Sequence, residues 1–435
     1  MAPLWLFWVA SSPTTKLLSR ANTPPSSASG VAAYLAAQWR NPRDILSVLL
    51  LIGPEVVKCA IAQLAGRTMT PVAFSFGWVA YASATLLSSF GDGRLMPDSE
   101  SMLTVINVNS GHSRLTKNWV LGRLWRDLND NIDKGLKDEA PHISAEQGDL
   151  QEQAASTYSR KESMQKEKRP FEGLRITVYE VEENTPEKPI THGIPSLDFV
   201  WYMGIAVIVM QLGIAAIPWG IHGQWDTFMI TVVGNLLAVG TASLPQWRSE
   251  KWAAPKQGGQ TVAITEGNGS RSVIVILGKK GVGLHLEVMA RGTRTAPAFL
   301  STKIWNSVLA LLWVMLLVTV AGMEQNTWYL LAIGILGSFQ NLIAASIPRS
   351  PAAMGLHLRK RPVSIKGFRV AEVLKEAEER FPLLGSALLE VFFPGSLRLR
   401  KEDTENIEFW TNALKERYKE NKYGIRLDSL LLKAI

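Results

Sequence analysis

Leu197 to Trp219 reads LDFVWYMGIAVIVMQLGIAAIPW, a run whose only charge, Asp198, stands at its leading edge. Twenty residues of helix rise about 30 Å, the thickness of the hydrocarbon core of a bilayer. This run is therefore long enough to cross one. A short turn, 220–226, leads into a second apolar block, Thr227 to Leu244, so the two form a hairpin. The arrangement recurs downstream, where Ile304 to Gly322 and Thr327 to Ile347 are joined by residues 323–326. Upstream, Ile45 to Gly66 and Pro71 to Phe90 make a further pair around the tight link Arg67 to Thr70. Pro71 to Phe90 carries no charge, whereas Pro54, Glu55 and Lys58 interrupt the block before it. The expectation is an α-helical membrane protein with about six transmembrane helices in three hairpins.

The average composition hides this. At 435 residues and 47 % apolar content, with a mean hydropathy of +0.07, the chain resembles a soluble protein. Its apolar residues, however, are gathered into blocks separated by segments rich in Lys, Arg, Glu and Asp. Of the fifteen tryptophans, Trp201, Trp219, Trp225, Trp247, Trp305 and Trp328 lie near block ends, where amphipathic indole rings favour the headgroup boundary. The net charge of +8 comes from basic residues beside the blocks, which points to the lipid bilayer as partner and away from nucleic acid. The single cysteine, Cys59, excludes an intrachain disulfide and a cysteine-rich metal site.

The links 220–226 and 323–326 contain Asp226 and Glu324 but no Lys or Arg. The opposite flanks carry Arg40, Arg43, Arg94, Arg248, Lys251, Lys303, Arg349, Arg359, Lys360 and Arg361. The positive-inside rule makes those flanks cytoplasmic. Both termini and both long loops are then expected in the cytosol. Should 45–66 lie on the surface, the N-terminus moves outside and the later assignments stand.

The resulting organisation is a partly disordered tail over 1–44 with a short interfacial helix at Val31 to Trp39, hairpins at 45–90, 197–246 and 303–347, cytoplasmic loops at 91–196 and 247–302, and a helical tail over 348–435. In the first loop, Met102 to Val108 and Leu174 to Glu182 read as strands. Ser113 to Leu128 reads as a basic amphipathic helix, suited to a membrane surface or to packing on the loop's own sheet. Residues 138–170 are too polar to offset the entropy of ordering and read as a disordered insertion. The second loop offers strands at Thr261 to Thr265, Ser272 to Leu277 and Leu284 to Met289, with glycine turns at 267–269 and 281–283. Together the loops predict one small cytoplasmic β-rich (α+β) domain. In the tail, Val370 to Arg380 and Thr404 to Tyr418 show helical spacing, and Phe392-Phe393-Pro394-Gly395 marks a break.

Catalytic signatures are absent. Gly278-Lys279-Lys280-Gly281-Val282-Gly283 lacks the spacing of a phosphate-binding loop and reads as a basic turn. His112, His142, His192, His222, His285 and His357 have no metal-ligand spacing. No catalytic set, cofactor or metal is expected. The polar residues inside the blocks are the candidates, because polar groups in hydrocarbon are costly and face a bundle interior or a pathway. They are Glu55, Lys58, Gln211, Asn235, Gln340 and Asn341. Glu55 and Lys58, three apart, share one helical face and suit a proton relay or permeation route; the amides suit interhelical hydrogen bonds. Asn268-Gly269-Ser270 is a glycosylation sequon that the expected topology keeps silent.

The segments VAFSFGWVAYA with GDGRLMP, NWVLGRLWRDL, QLGIAAIPWGIHGQW and LPQWRSEKWAAPKQGGQTVAITEGNGSRSVIVILG resemble an uncharacterised family of multi-pass integral membrane proteins of filamentous fungi, over roughly residues 40–350. The resemblance implies membrane topology and a fungal source and carries no functional residues across. The leading expectation for function is a non-enzymatic scaffold or regulatory protein whose cytoplasmic domain recruits protein partners. The alternative is a small-solute transporter or channel with Glu55 and Lys58 at its pathway; a lipid-acting enzyme, supported only by the basic helix, stands third.

Overall fold

In a computed structural model, the structure describes residues 53–91, 93–130, 172–187, 189–292, 299–323, 325, 327–395, 397–399, 403–419 and 432–434. The expected N-terminal tail, the interfacial helix at 31–39 and the insertion at 138–170 lie outside the described residues. In chain order the elements are α1 (Pro54–Leu64), α2 (Gly77–Phe90), β1 (Leu103–Asn107), β2 (Ser113–Thr116), α3 (119–130), β3 (Leu174–Val181), α4 (Phe199–His222), α5 (Asp226–Ala242), α6 (Pro245–Lys251), β4 (Val262–Thr265), β5 (Ser272–Leu277) and α7 (Leu286–Ala290). There follow α8 (Leu300–Ala321), α9 (Thr327–Ser346), β6 (Leu358–Gly367), α10 (Val370–Arg380), α11 (Leu384–Phe392), the short paired strands β7 (Leu397–Leu399) and β8 (Leu432–Ala434), and between them α12 (Thr404–Lys419).

Four helices among the described residues are long and apolar enough to cross a membrane: α4, α5 with its continuation α6, α8 and α9. Asp198 caps α4 by accepting from Trp201 N, and Gly223, at φ 69°, ends it. At the end away from the sheet, Gln224 Nε2 donates to Gln325 Oε1 at 2.6 Å, linking the two hairpins.

The expectation of six spans is corrected: among the described residues four helices, not six, reach membrane length. In 45–66, residues 45–52 lie outside the described residues, and α1 has only 11 residues. The block 71–90 is not one helix. Residues 71–76 are non-helical and buried, and α2 has 14 residues, about 21 Å of rise, short of a bilayer core. Thr70 N donates to Ser243 Oγ at the sheet end of α5, Phe74 lies at the middle of the bundle against Trp313, and Ser89 bonds Asn306 back near the start of α8. The segment thus enters from the sheet end, turns at mid-bundle and returns. An apolar block buried on all sides lacks the periodicity that separates a helix from an extended segment, which is why it reads as a span.

The sheet has six strands in the order β2-β1-β4-β5-β3-β6, with β3 and β5 parallel and the other pairs antiparallel. Three strands come from the first loop, two from the second and one, β6, from the tail. The expected strand at 284–289 is instead α7, and the expected helix at 113–128 begins as β2. Period-two alternation buries both faces. Val105, Ile264, Ile274 and Ile276 join the core of the bundle end, while Ile106, Ile176, Val178, Val273 and Val275 pack with Leu374, Leu388 and Trp410 of the tail helices. Helix α3 is wedged between sheet and bundle, with Trp119, Leu121, Leu124 and Trp125 in the shared core, so of its two expected settings the packed one is observed.

Candidate functional site

A non-helical backbone inside an apolar bundle has no helical partners for its N–H and C=O groups, and each unpaired group there costs several kcal/mol. Side chains supply them. Ala73 N donates to Gln340 Oε1 (3.1 Å) and Ala73 O accepts from Trp78 Nε1 (3.0 Å). Phe74 N donates to Asn235 Oδ1 (3.1 Å) and Phe74 O accepts from Gln211 Nε2 (2.8 Å). All four backbone polar groups of Ala73 and Phe74 are therefore met by side chains, three of them from different membrane-length helices. Gln211 Nε2 also donates to Ile333 O (2.9 Å), and Asn341 Nδ2 to Ser75 Oγ (2.9 Å). One glycine is required by the approach: a Cβ on Gly337 would collide with the Phe74 carbonyl and the Gln211 amide. Trp313 is sandwiched between Phe74 and Trp78, at ring separations of 6.0 and 5.6 Å. Among the described residues, Gln211 Oε1, Gln340 Nε2 and Asn341 Oδ1 are buried without a hydrogen-bond partner.

At the sheet end, charged groups hold the feet of this hairpin. The fully buried Lys251 donates from Nζ to Gln63 O (3.1 Å) and Ala65 O (2.8 Å), the carbonyls that end α1. Glu250 Oε2 accepts from Leu95 N and Met96 N at 2.8 Å each, just past α2, and Oε1 accepts from Gln246. Arg349 makes a two-pronged pair with Asp198, both contacts 2.7 Å, and donates from Nη1 to Gln63 O. Its backbone N donates to Asp127 Oδ2, and Asp127 pairs with Arg123 at 3.3 Å. Arg123 and Arg126 of α3 donate to Ile347 O and Ser346 O, the last carbonyls of α9. Burial pushes the Asp127 carboxyl above its ordinary range, opposed by the Arg349 N–H and by Arg123. Burial likewise lowers the Arg123 guanidinium, with Asp127 acting against it.

Of the six polar residues singled out in the apolar blocks, the structure brings four together, Gln211, Asn235, Gln340 and Asn341, all on the hairpin or its surroundings. Glu55 and Lys58 lie on α1 outside that cluster, Glu55 exposed and Lys58 half-buried. Sequence reasoning missed Trp78, Glu250, Lys251, Asp198 and Arg349 as site residues. The available signal was ionised residues directly at block edges, read as topology markers only. Gly278 to Gly283 is a turn, with Lys279 paired to Glu183 at 2.7 Å. His192 and His357 meet ring to ring at 5.5 Å; burial lowers the His192 imidazole, with the nearby His357 adding to the effect and the Glu182 carbonyl opposing it. Among the described residues no group of three or more His, Cys, Asp or Glu is placed to hold a metal ion.

Compared with known protein families, with curated proteins and with solved structures, the chain matches none.

Proposed function

We propose that this chain is a multi-pass integral membrane protein that works as a non-enzymatic scaffold or regulator, presenting its sheet and tail to protein partners on the cytoplasmic side. The observation that carries the reading is where the core amides point. They serve the backbone of Ala73 and Phe74, and Gln211 also bonds the Ile333 carbonyl of α9, so these amides go to mounting the hairpin in the bundle. The Arg349–Asp198 pair ties the segment after α9 to the start of α4, and the Arg349 N–H on Asp127 ties that end of the bundle to α3, which packs against the sheet. Arg248, Lys251, Lys303, Arg349 and Arg359 gather at the sheet end, which supports its cytoplasmic assignment. The resemblance to multi-pass proteins of filamentous fungi belongs to the same reading.

The test places photo-crosslinking residues on the exposed sheet edge, at Leu115 and Lys360, and on the exposed bundle side, at Leu312, in native membranes. Discrete protein adducts from the sheet positions, with none from Leu312, support the scaffold. Adducts from no position, together with solute flux by the purified protein in liposomes, overturn it.

A transporter or channel is the second reading, favoured by the unpartnered amide atoms of Gln211, Gln340 and Asn341 beside the hairpin. It requires flux in liposomes that Gln340→Leu abolishes; dependence on Glu55→Gln instead would put the pathway on α1.

A further inference from the structure

At the sheet end a cavity of about 260 Å³ opens between the exit of the hairpin, the end of β2 and the segment after α7. Arg94, Lys117 and Arg291 line it with Asp98, Glu250 and Lys251. Both carboxylates are engaged, Glu250 by two backbone N–H groups and Gln246, Asp98 by Arg94 at 3.6 Å. Lys251 is held by the Gln63 and Ala65 carbonyls. Lys117 and Arg291 are exposed, and among the described residues neither has an ion-pair partner. The lining thus carries more cations than carboxylates, and the two exposed cations have no ion pair among the described residues, which favours an anionic ligand. The volume is below the roughly 300–1,000 Å³ of a drug-sized site, which suits a compact headgroup.

Its surroundings indicate the source of the anion. Leu87 and Phe90, ahead of Arg94, are 77 % and 65 % exposed, and Leu300 at the start of α8 is 73 % exposed. Phe299 N reaches Gln246, which bonds Glu250 at the cavity, so the apolar start of α8 adjoins the cationic site. Charge in a pocket with open apolar surface beside it at the end of a membrane-length bundle matches a lipid with its headgroup inside and its chains outside.

We propose that this cavity binds the phosphate of an anionic phospholipid, held by Lys117 and Arg291 with Arg94 beside them, while the acyl chains run along Leu87, Phe90 and Leu300. The proposal rests on the bundle lying in a bilayer and not on the scaffold role. A missing lipid response in protein whose spans are mapped to the membrane sinks the site alone.

The test titrates the purified full chain, in uncharged detergent, with dioctanoyl phosphatidic acid, dioctanoyl phosphatidylcholine or inorganic phosphate, following the melting midpoint and the fitted Kd. Phosphatidic acid is expected to raise the midpoint and to bind at least about tenfold tighter than phosphatidylcholine, with the preference weakening as salt rises. Lys117→Gln combined with Arg291→Gln is expected to remove about tenfold or more of that affinity, the loss of charge-assisted hydrogen bonds, while Lys280→Gln leaves it unchanged. Equal stabilisation by inorganic phosphate alone overturns the lipid source. Equal response to both lipids, or an unchanged Kd in the double variant, overturns the site. If the double variant does not fold, the lipid preference and salt dependence of the native chain decide.

Discussion

Glu250 and Lys251, adjacent on α6, hold opposite feet of the hairpin inserted into the bundle. The ammonium serves the carbonyls of Gln63 and Ala65 on the way in; the carboxylate takes the N–H groups of Leu95 and Met96 on the way out. The entrance and exit of a segment more than twenty residues long are therefore fixed by one turn of helix. Lys251→Met leaves the Ala65 carbonyl unpaired, the Gln63 carbonyl keeping Arg349, and is expected to cost about 1–3 kcal/mol, whereas Glu250→Gln keeps an acceptor and costs about 1 kcal/mol or less. Melting of the purified chain measures both; a Lys251→Met protein as stable as the native one contradicts the clamp.

The amide contacts make a second, separable prediction. Gln340→Leu strands the Ala73 N–H and Gln211→Leu strands the Phe74 carbonyl, each in an apolar interior, at about 1–3 kcal/mol apiece. Faster hydrogen exchange at the Ala73 amide in Gln340→Leu than in Gln211→Leu would tie each loss to its own bond. Indistinguishable exchange would mean that the non-helical arm does not depend on these side chains.

Two glycines on membrane-length helices separate close approach from helix propensity. An Ala in place of Gly gains about 1 kcal/mol in an open helix. Gly213 has open space around it and Gly213→Ala should show that gain. Gly337→Ala forces the Phe74 carbonyl away and should lose about 1–3 kcal/mol by overpacking. The same sign at both positions rules out the tight crossing.

The four membrane-length helices were legible because each is a run of about twenty apolar residues between polar turns. Four of the strands were legible from alternation. What misled was chain buried on every side. Pro71 to Phe90 has the composition of a span, and only the unusual number of amides on other helices hinted that something within the bundle needed donors and acceptors. Strand β6 was hidden for the opposite reason: Arg359, Lys360, Arg361 and Lys366 make it a charged edge strand with Pro362 inside it, the pattern of a sheet edge protected from further pairing. The run 284–289 was too short to distinguish strand from helix, and His285, by accepting from Val288 N, tips it to α7. Glu55 and Lys58 drew attention as charges in an apolar block, but α1 is a short helix and they stand clear of the amide cluster.

His192 gives a pH prediction. Its folded pKa lies below the ordinary 6.5 because burial disfavours the imidazolium, so the unfolded chain binds more protons between the two values. Stability therefore rises with pH across that window and falls as the solution is acidified from 6.5 toward the folded pKa. The groups near the ring are His357 and the Glu182 backbone carbonyl, with Glu182 itself adding an attraction too weak to reverse the shift. His192→Gln should flatten this part of the stability profile, read as melting midpoints from pH 7.5 to 5. An unchanged slope in the variant assigns the dependence elsewhere.

The sharpest topological question is whether residues 67–70 and 90–94 share a side. A six-span chain puts Arg67 to Thr70 outside and Arg94 inside. A hairpin that enters and leaves by the sheet end puts both with the sheet, as Thr70 bonded to Ser243 and Leu95 bonded to Glu250 require. Single cysteines at Met69 and Phe90, both exposed, in a Cys59→Ser background report this with a membrane-impermeant maleimide on sealed cells and again after permeabilisation. Protection of both until permeabilisation, with the native Asn268 sequon unglycosylated and a sequon in the enlarged 220–226 turn modified, is the expected pattern. Labelling of Met69→Cys alone on sealed cells would restore the two missing crossings. Labelling of both, with Asn268 glycosylated, would keep the hairpin but turn the sheet outward, and partners would then be sought on the other side of the membrane.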